Sequence, residues 1–166
     1  MRLQRLIRTV SLSLCGVLAC PWLSVAATFS SDFESGLPAG TAVFGTAAVV
    51  GGVLQLTDNA NGSQGVFVTD PLDAGPVDSF IATFQARISD QTCCGEPPNP
   101  NGPADGFSLS FSNSIPSPPT DYTQEDGLPV GLSVNFDTWD NGAAEAPAID
   151  VKMNGTTISS FSIHPY

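Results

Sequence analysis

From Thr28 onward the chain is built of short runs in which apolar and polar residues alternate, punctuated by Gly, Pro, Asn and Asp. A period of two marks a strand with one buried face. The clearest run is Phe80 to Ile88, with Phe80, Ala82, Phe84, Ala86 and Ile88 on one side. Ile81, Thr83, Gln85 and Arg87 fall on the other. Phe107 to Phe111 repeats the pattern, with aromatic and leucine side chains inward and serines outward. Leu132, Val134 and Phe136 oppose Ser133, Asn135 and Asp137 in the next run, and strands over Ala148 to Met153 and Thr156 to Ile163 follow. Asn154-Gly155 between the last two predicts a type I′ hairpin turn, because both central positions of that turn need positive φ. Upstream, strands are expected at Phe29 to Phe33, Ala47 to Val50, Val53 to Thr57 and Gly65 to Thr69. Turns fall at Ser35 to Pro38, Gly51-Gly52 and Asn59 to Gly62. No stretch after Thr28 sustains a helical period and no internal repeat is evident, so the expected class is all-β, an antiparallel β-sandwich.

Composition changes this picture first at the N-terminus. Arg2, Arg5 and Arg8 precede an apolar stretch from Val10 to Trp22, and Val25-Ala26-Ala27 fits a small-residue cleavage site. Residues 1–27 therefore read as a signal peptide, with the domain spanning 28–166 and the protein secreted or held at the cell surface. The apolar stretch is short for a membrane span, so no membrane insertion is expected after cleavage. Cleavage removes three of the five basic residues and leaves Arg87 and Lys152 against sixteen acids. Such a chain repels nucleic acid and anionic lipid. Cation binding, adaptation to salt and plain solubility compete as readings of the acids. Those clustered from 137 to 145 favour cation binding.

Cys93 and Cys94 are the only cysteines after the leader. Export permits a disulfide, and adjacent thiols can close a strained vicinal bridge, pair with another chain or stay reduced. A local loop staple is the favoured reading. They lie in a Gly/Pro/Asn-rich loop from Asp90 to Pro103, long enough to suggest function. Asn61-Gly62-Ser63 and Asn154-Gly155-Thr156 are glycosylation sequons, relevant only in a eukaryotic secretory host. The sole histidine, His164, has no motif around it.

The strongest chemical signal is Val134-Asn135-Phe136-Asp137-Thr138-Trp139-Asp140-Asn141, a strand running into a loop of oxygen ligands. Carboxylates and amides gathered at a strand end suit a hard cation such as calcium. Together with Ala104-Asp105-Gly106-Phe107 and Ile149-Asp150-Val151, it resembles the concanavalin A-like lectin/glucanase superfamily. Within that superfamily it is similar to legume-lectin-like (L-type) and LamG-like bacterial domains. Asp32 to Gly36 and Gly52 to Thr57 also look like the start of such domains. The resemblance covers most of 28–155 and implies a jelly roll. It implies that Asp105 and Gly106 contact sugar hydroxyls and that Asn141 faces the sugar. It further implies calcium held by Asp137, the Trp139 carbonyl, Asn141 and Glu145.

The departures are as informative. The family's glutamate two residues before the aspartate is Asn135 here, and its downstream histidine is replaced by apolar residues around Ala146-Pro147. A transition-metal site of the legume type lacks its donors. Hydrolases on this sandwich use a Glu-x-Asp-x-x-Glu strand, where this chain has Asn135-x-Asp137-x-x-Asp140. An amide cannot act as the second carboxylate of a glycosidase. The expected function is non-catalytic binding of a glycan or polysaccharide, assisted by calcium. The rival is a structural or adhesive surface module with no sugar site. Domains of this resemblance usually continue beyond the last hairpin, so the jelly roll is expected to be incomplete at its C-terminal end.

Overall fold

The computed structural model describes residues 27–89, 105–115, 119, 125–142 and 145–163. The leader up to Ala26, Cys93, Cys94, Ala104 and His164 lie outside the described residues. The described chain is all-β and antiparallel, with 37% of it in strands. Its strands are β1 (Thr41–Gly45), β2 (Ala48–Val50), β3 (Val53–Gln55), β4 (Gly65–Thr69), β5 (Gly106–Phe111), β6 (Leu132–Asp137), β7 (Ala148–Met153) and β8 (Thr156–Ser162). β1 pairs with β4 and β2 with β3, while β5-β6-β7-β8 form one four-stranded sheet in chain order.

The hairpins form where turn chemistry demands them. Gly51 and Gly52 take positive φ between β2 and β3, and Asn154 (φ 50°) and Gly155 (φ 73°) do so between β7 and β8. The Asn154 side chain also accepts a 2.9 Å bond from the Gly131 amide, tying the turn to the start of β6.

The register of the large sheet sorts its side chains into two faces. Phe107, Phe136, Ile149 and Phe161 form one transverse row of the apolar face, and Leu109, Val134 and Val151 belong to the next. On the opposite face the rows are Ser108–Asn135–Asp150–Ser160 and Ser110–Ser133–Lys152–Thr157. This polar face is the better buried one, against the expectation that its serines point outward. Within β6, Ser133 and Asn135 are each 1% exposed, whereas Val134 and Phe136 on the apolar face are only half-buried. The reason is a short segment, Glu125 to Leu128, that lies across the polar face. The Leu128 amide donates to Ser110 Oγ at 3.0 Å, and Lys152 Nζ lies 2.5 Å from Asp126 Oδ1.

Two expected strands do not form. Phe80 to Ile88 belongs to no strand. Its alternation is nonetheless expressed. Phe80 stacks on Phe111 at 4.7 Å, and Phe84 meets Phe107 and Phe136 edge-on at 6.0 Å, while Ile81 on the other side is 95% exposed. The segment lies over the apolar face of the sheet rather than beside one of its strands. Alternation reports which side chains seek apolar cover, and it is blind to whether a hydrogen-bonding edge is at hand.

Phe29 to Phe33 is likewise not a strand. Ser31 Oγ accepts from the Phe33 amide and Asp32 Oδ1 from the Glu34 amide, at 3.0 and 3.1 Å. These local bonds compete with a ladder and bend the chain, with Phe33 at φ 60°. Phe29 and Phe33 pack instead on Phe67 of β4. Conversely β1, unannounced by clean alternation in Thr-Ala-Val-Phe-Gly, forms against β4 in full register.

Candidate functional site

Register decides what meets at the end of the large sheet. Asp137, the last residue of β6, lies opposite Gly106, the first of β5. Asp105 therefore comes beside Thr138, whose amide and hydroxyl both donate to the Asp105 carbonyl at 2.9 Å. Gly106 has φ 150°, and a Cβ there would collide with the Phe136 carbonyl oxygen. Only glycine lets the two strand ends approach this closely.

The loop after β6 is shaped by its own carboxylates. Asp137 Oδ1 accepts from the Trp139 amide at 3.0 Å. Asp140 Oδ1 accepts from the Gly142 amide at 2.8 Å, and Glu145 Oε1 from the Asn141 amide at 2.9 Å. The two Asp bonds are the turns that Asp favours at strand ends, and the Glu145 bond closes the loop back onto Asn141. Asp105, Asn141 and Glu145 are exposed, while Asp137 and Trp139 are half-buried. All six residues expected at a sugar and calcium site thus lie on two adjoining stretches of chain. Among the described residues, no three Asp, Glu, His or Cys side chains converge as metal ligands do.

The carboxylates repel one another. Burial raises the pKa of Asp137, the Trp139 amide opposes that rise, and the charges of Glu145, Asp150 and Asp126 add to it. Burial also raises the pKa of Glu125, offset by a backbone hydrogen bond and reinforced by Asp105, Asp126 and Asp137. Glu125 thereby joins the electrostatics of this end of the sheet. It sits outside every strand that the alternation predicts. The readable signal was the run of polar inward positions, Ser108, Ser110, Ser133, Asn135, Asp150 and Lys152. Taken strand by strand these look solvent-facing, and only their register makes them one surface that needs a cover.

On the opposite face, Phe84, Ala86, Ile88, Phe107, Phe136, Ala148 and Ile163 line an open apolar groove of 430 Å³ that ends at Asp137 and Thr138. Among the described residues, no helix is long and apolar enough to cross a membrane. No protein-family model matches the chain, and no curated protein matches it.

Proposed function

We propose that the protein is an exported, non-catalytic carbohydrate-binding domain of concanavalin A-like, jelly-roll type, with calcium bracing its binding loop. The observation that carries this reading is the meeting of Asp105-Gly106 with the Asp137 to Asn141 loop at one sheet end, tied through Thr138. Both motifs of the resemblance, remote in sequence, fall side by side. Asp105 and Asn141 are exposed and can hydrogen-bond neighbouring sugar hydroxyls. The donors offered by Asp137, the Trp139 carbonyl, Asn141 and Glu145 are all oxygen, as a hard cation requires. Calcium takes at least about six oxygens, so water would complete the shell. Absence of catalysis is supported by Asn135, which is an amide and is 1% exposed where a hydrolase would present a carboxylate.

A structural or adhesive module is the second reading. It is favoured by the use of Asp137, Asp140 and Glu145 to cap the loop's own amides, which a plain turn does without metal. A glycan array run with calcium and with chelator separates the two. The lectin reading expects calcium-dependent binding that Asp105→Ala and Asp137→Ala each abolish. Silence across the array would support the structural module. Glycan binding that survives Asp137→Ala and chelator would remove calcium from the mechanism.

A further inference from the structure

A second constellation lies on the polar face of the four-stranded sheet, beneath the Glu125 to Leu128 segment. Asn135 stands directly opposite Asp150 in the β6–β7 register, and Ser133 is the next residue of β6 on that face. Glu125 Cβ lies 3.0 Å from the point where a Gly106 Cβ would be. A Cβ on Gly127 would lie 2.7 Å from Ser133 Oγ and 3.1 Å from Asn135 Oδ1. Both oxygens therefore face the underside of the segment.

Ser133 and Asn135 are each 1% exposed. Even so, Ser133 Oγ, both polar atoms of the Asn135 amide, Asp150 Oδ1 and Glu125 Oε2 are buried without a hydrogen-bond partner. An unmade hydrogen bond on a buried group costs about 1–3 kcal/mol, and more on a charged one. Native interiors tolerate few such groups, and a cluster of them calls for a ligand, an ion or water. Lys152 already answers the neighbouring Asp126.

We infer that this face holds one calcium ion, with Glu125 Oε2, Asp150 Oδ1, Asn135 Oδ1 and Ser133 Oγ as its protein ligands. The set is four oxygens, two of them carboxylate, so its charge balances a divalent cation. It contains no nitrogen or sulfur donor that would favour zinc or copper. Two carboxylates with neutral oxygens, completed by water, are ordinary calcium coordination. The Asn135 amide nitrogen would donate to a water on the ion. A sugar does not fit, because these atoms have no accessible surface. The site adjoins the loop, since Asp137 follows Asn135 on the same face of β6, but it takes no ligand from Asp105, Asp137, Trp139, Asn141 or Glu145. Its role is structural, clamping the Glu125 to Leu128 segment onto β6 and β7.

The test is calorimetric titration of the chelator-treated full chain with calcium chloride alone. A Asp137→Ala/Glu145→Gln variant, disabled in the loop, should keep one calcium equivalent. Adding Glu125→Gln or Asp150→Asn to it should weaken that binding at least tenfold. Asn135→Asp, which preserves shape and adds a carboxylate, should tighten it about tenfold. It also covers the case in which Asp150→Asn fails to fold. Unchanged affinity in folded Glu125→Gln and Asp150→Asn variants, no tightening in Asn135→Asp, or no calcium binding by the loop-disabled chain would each overturn the proposal. The last outcome would assign the orphaned atoms to buried water.

Discussion

Glu125 illustrates how far a single residue's chemistry depends on its neighbours. Burial of its carboxyl raises its pKa above the ordinary value, and the charges of Asp105, Asp126 and Asp137 add to that rise. A group whose folded pKa is raised binds its proton more tightly in the native state. Its favourable contribution is complete below the unfolded pKa of about 4.3 and is lost as pH rises through the folded value. With calcium chelated, Glu125→Gln should therefore raise the melting temperature at pH 7, and the gain should vanish below about pH 4. Thermal denaturation followed by circular dichroism across that range checks this. A variant less stable than the parent at pH 7 would contradict the cost of burying this carboxylate among like charges. Asp137 is shifted in the same direction, so the parent itself should lose stability between pH 4 and 7 in chelator.

At the scale of elements, the β7–β8 hairpin and the Phe80 to Ile88 segment show opposite relations between pattern and structure. The hairpin is encoded locally: Asn154 and Gly155 accept positive φ, and the Asn154 amide oxygen reaches the Gly131 amide. Gly155→Ala should cost about 1–2 kcal/mol through left-handed strain. Asn154→Asp should cost less than Asn154→Ala, because it keeps the acceptor for Gly131. Urea denaturation of the three variants measures the order. The Phe80 to Ile88 segment has the stronger alternation but joins no ladder among the described residues. Ring contacts of Phe80 and Phe84 seat it on the sheet, so Phe84→Ala should loosen it. Phe84 is 48% exposed, so about half the cost of a core Phe truncation, roughly 1.5–2.5 kcal/mol, is expected. Increased binding of an apolar dye should accompany it as the groove beside Phe107 and Phe136 opens.

For the whole molecule, charge sets the terms. Sixteen acids stand against five basic residues, and the polar face and loop concentrate several of them. General screening and specific cation binding predict different salt responses. Sodium chloride at about 100 mM screens exposed charges over roughly 10 Å. Calcium chloride at a few millimolar adds little screening. A larger rise in melting temperature with about 5 mM calcium than with that sodium chloride is expected, through preferential binding to the native state. Equal responses at matched ionic strength would reduce the acids to solubility and salt adaptation.

Local information in the chain determined the β6, β7 and β4 boundaries, the glycine and Asn-Gly turns, and the all-β, antiparallel class. Each rests on a period of two or on a φ that few residues adopt, and both are properties of neighbouring residues. It also marked the Asp137 to Asn141 loop, because carboxylates at a strand end are legible without a fold. Only the tertiary structure decided that Asp105 meets Thr138, that Phe80 to Ile88 lies over the sheet, and that Ser133, Asn135 and Asp150 form a buried polar surface under Glu125. These depend on register and on which segment crosses which face, and such relations join residues far apart in the chain. An alternating strand states that its two faces differ, while packing determines which of them is covered.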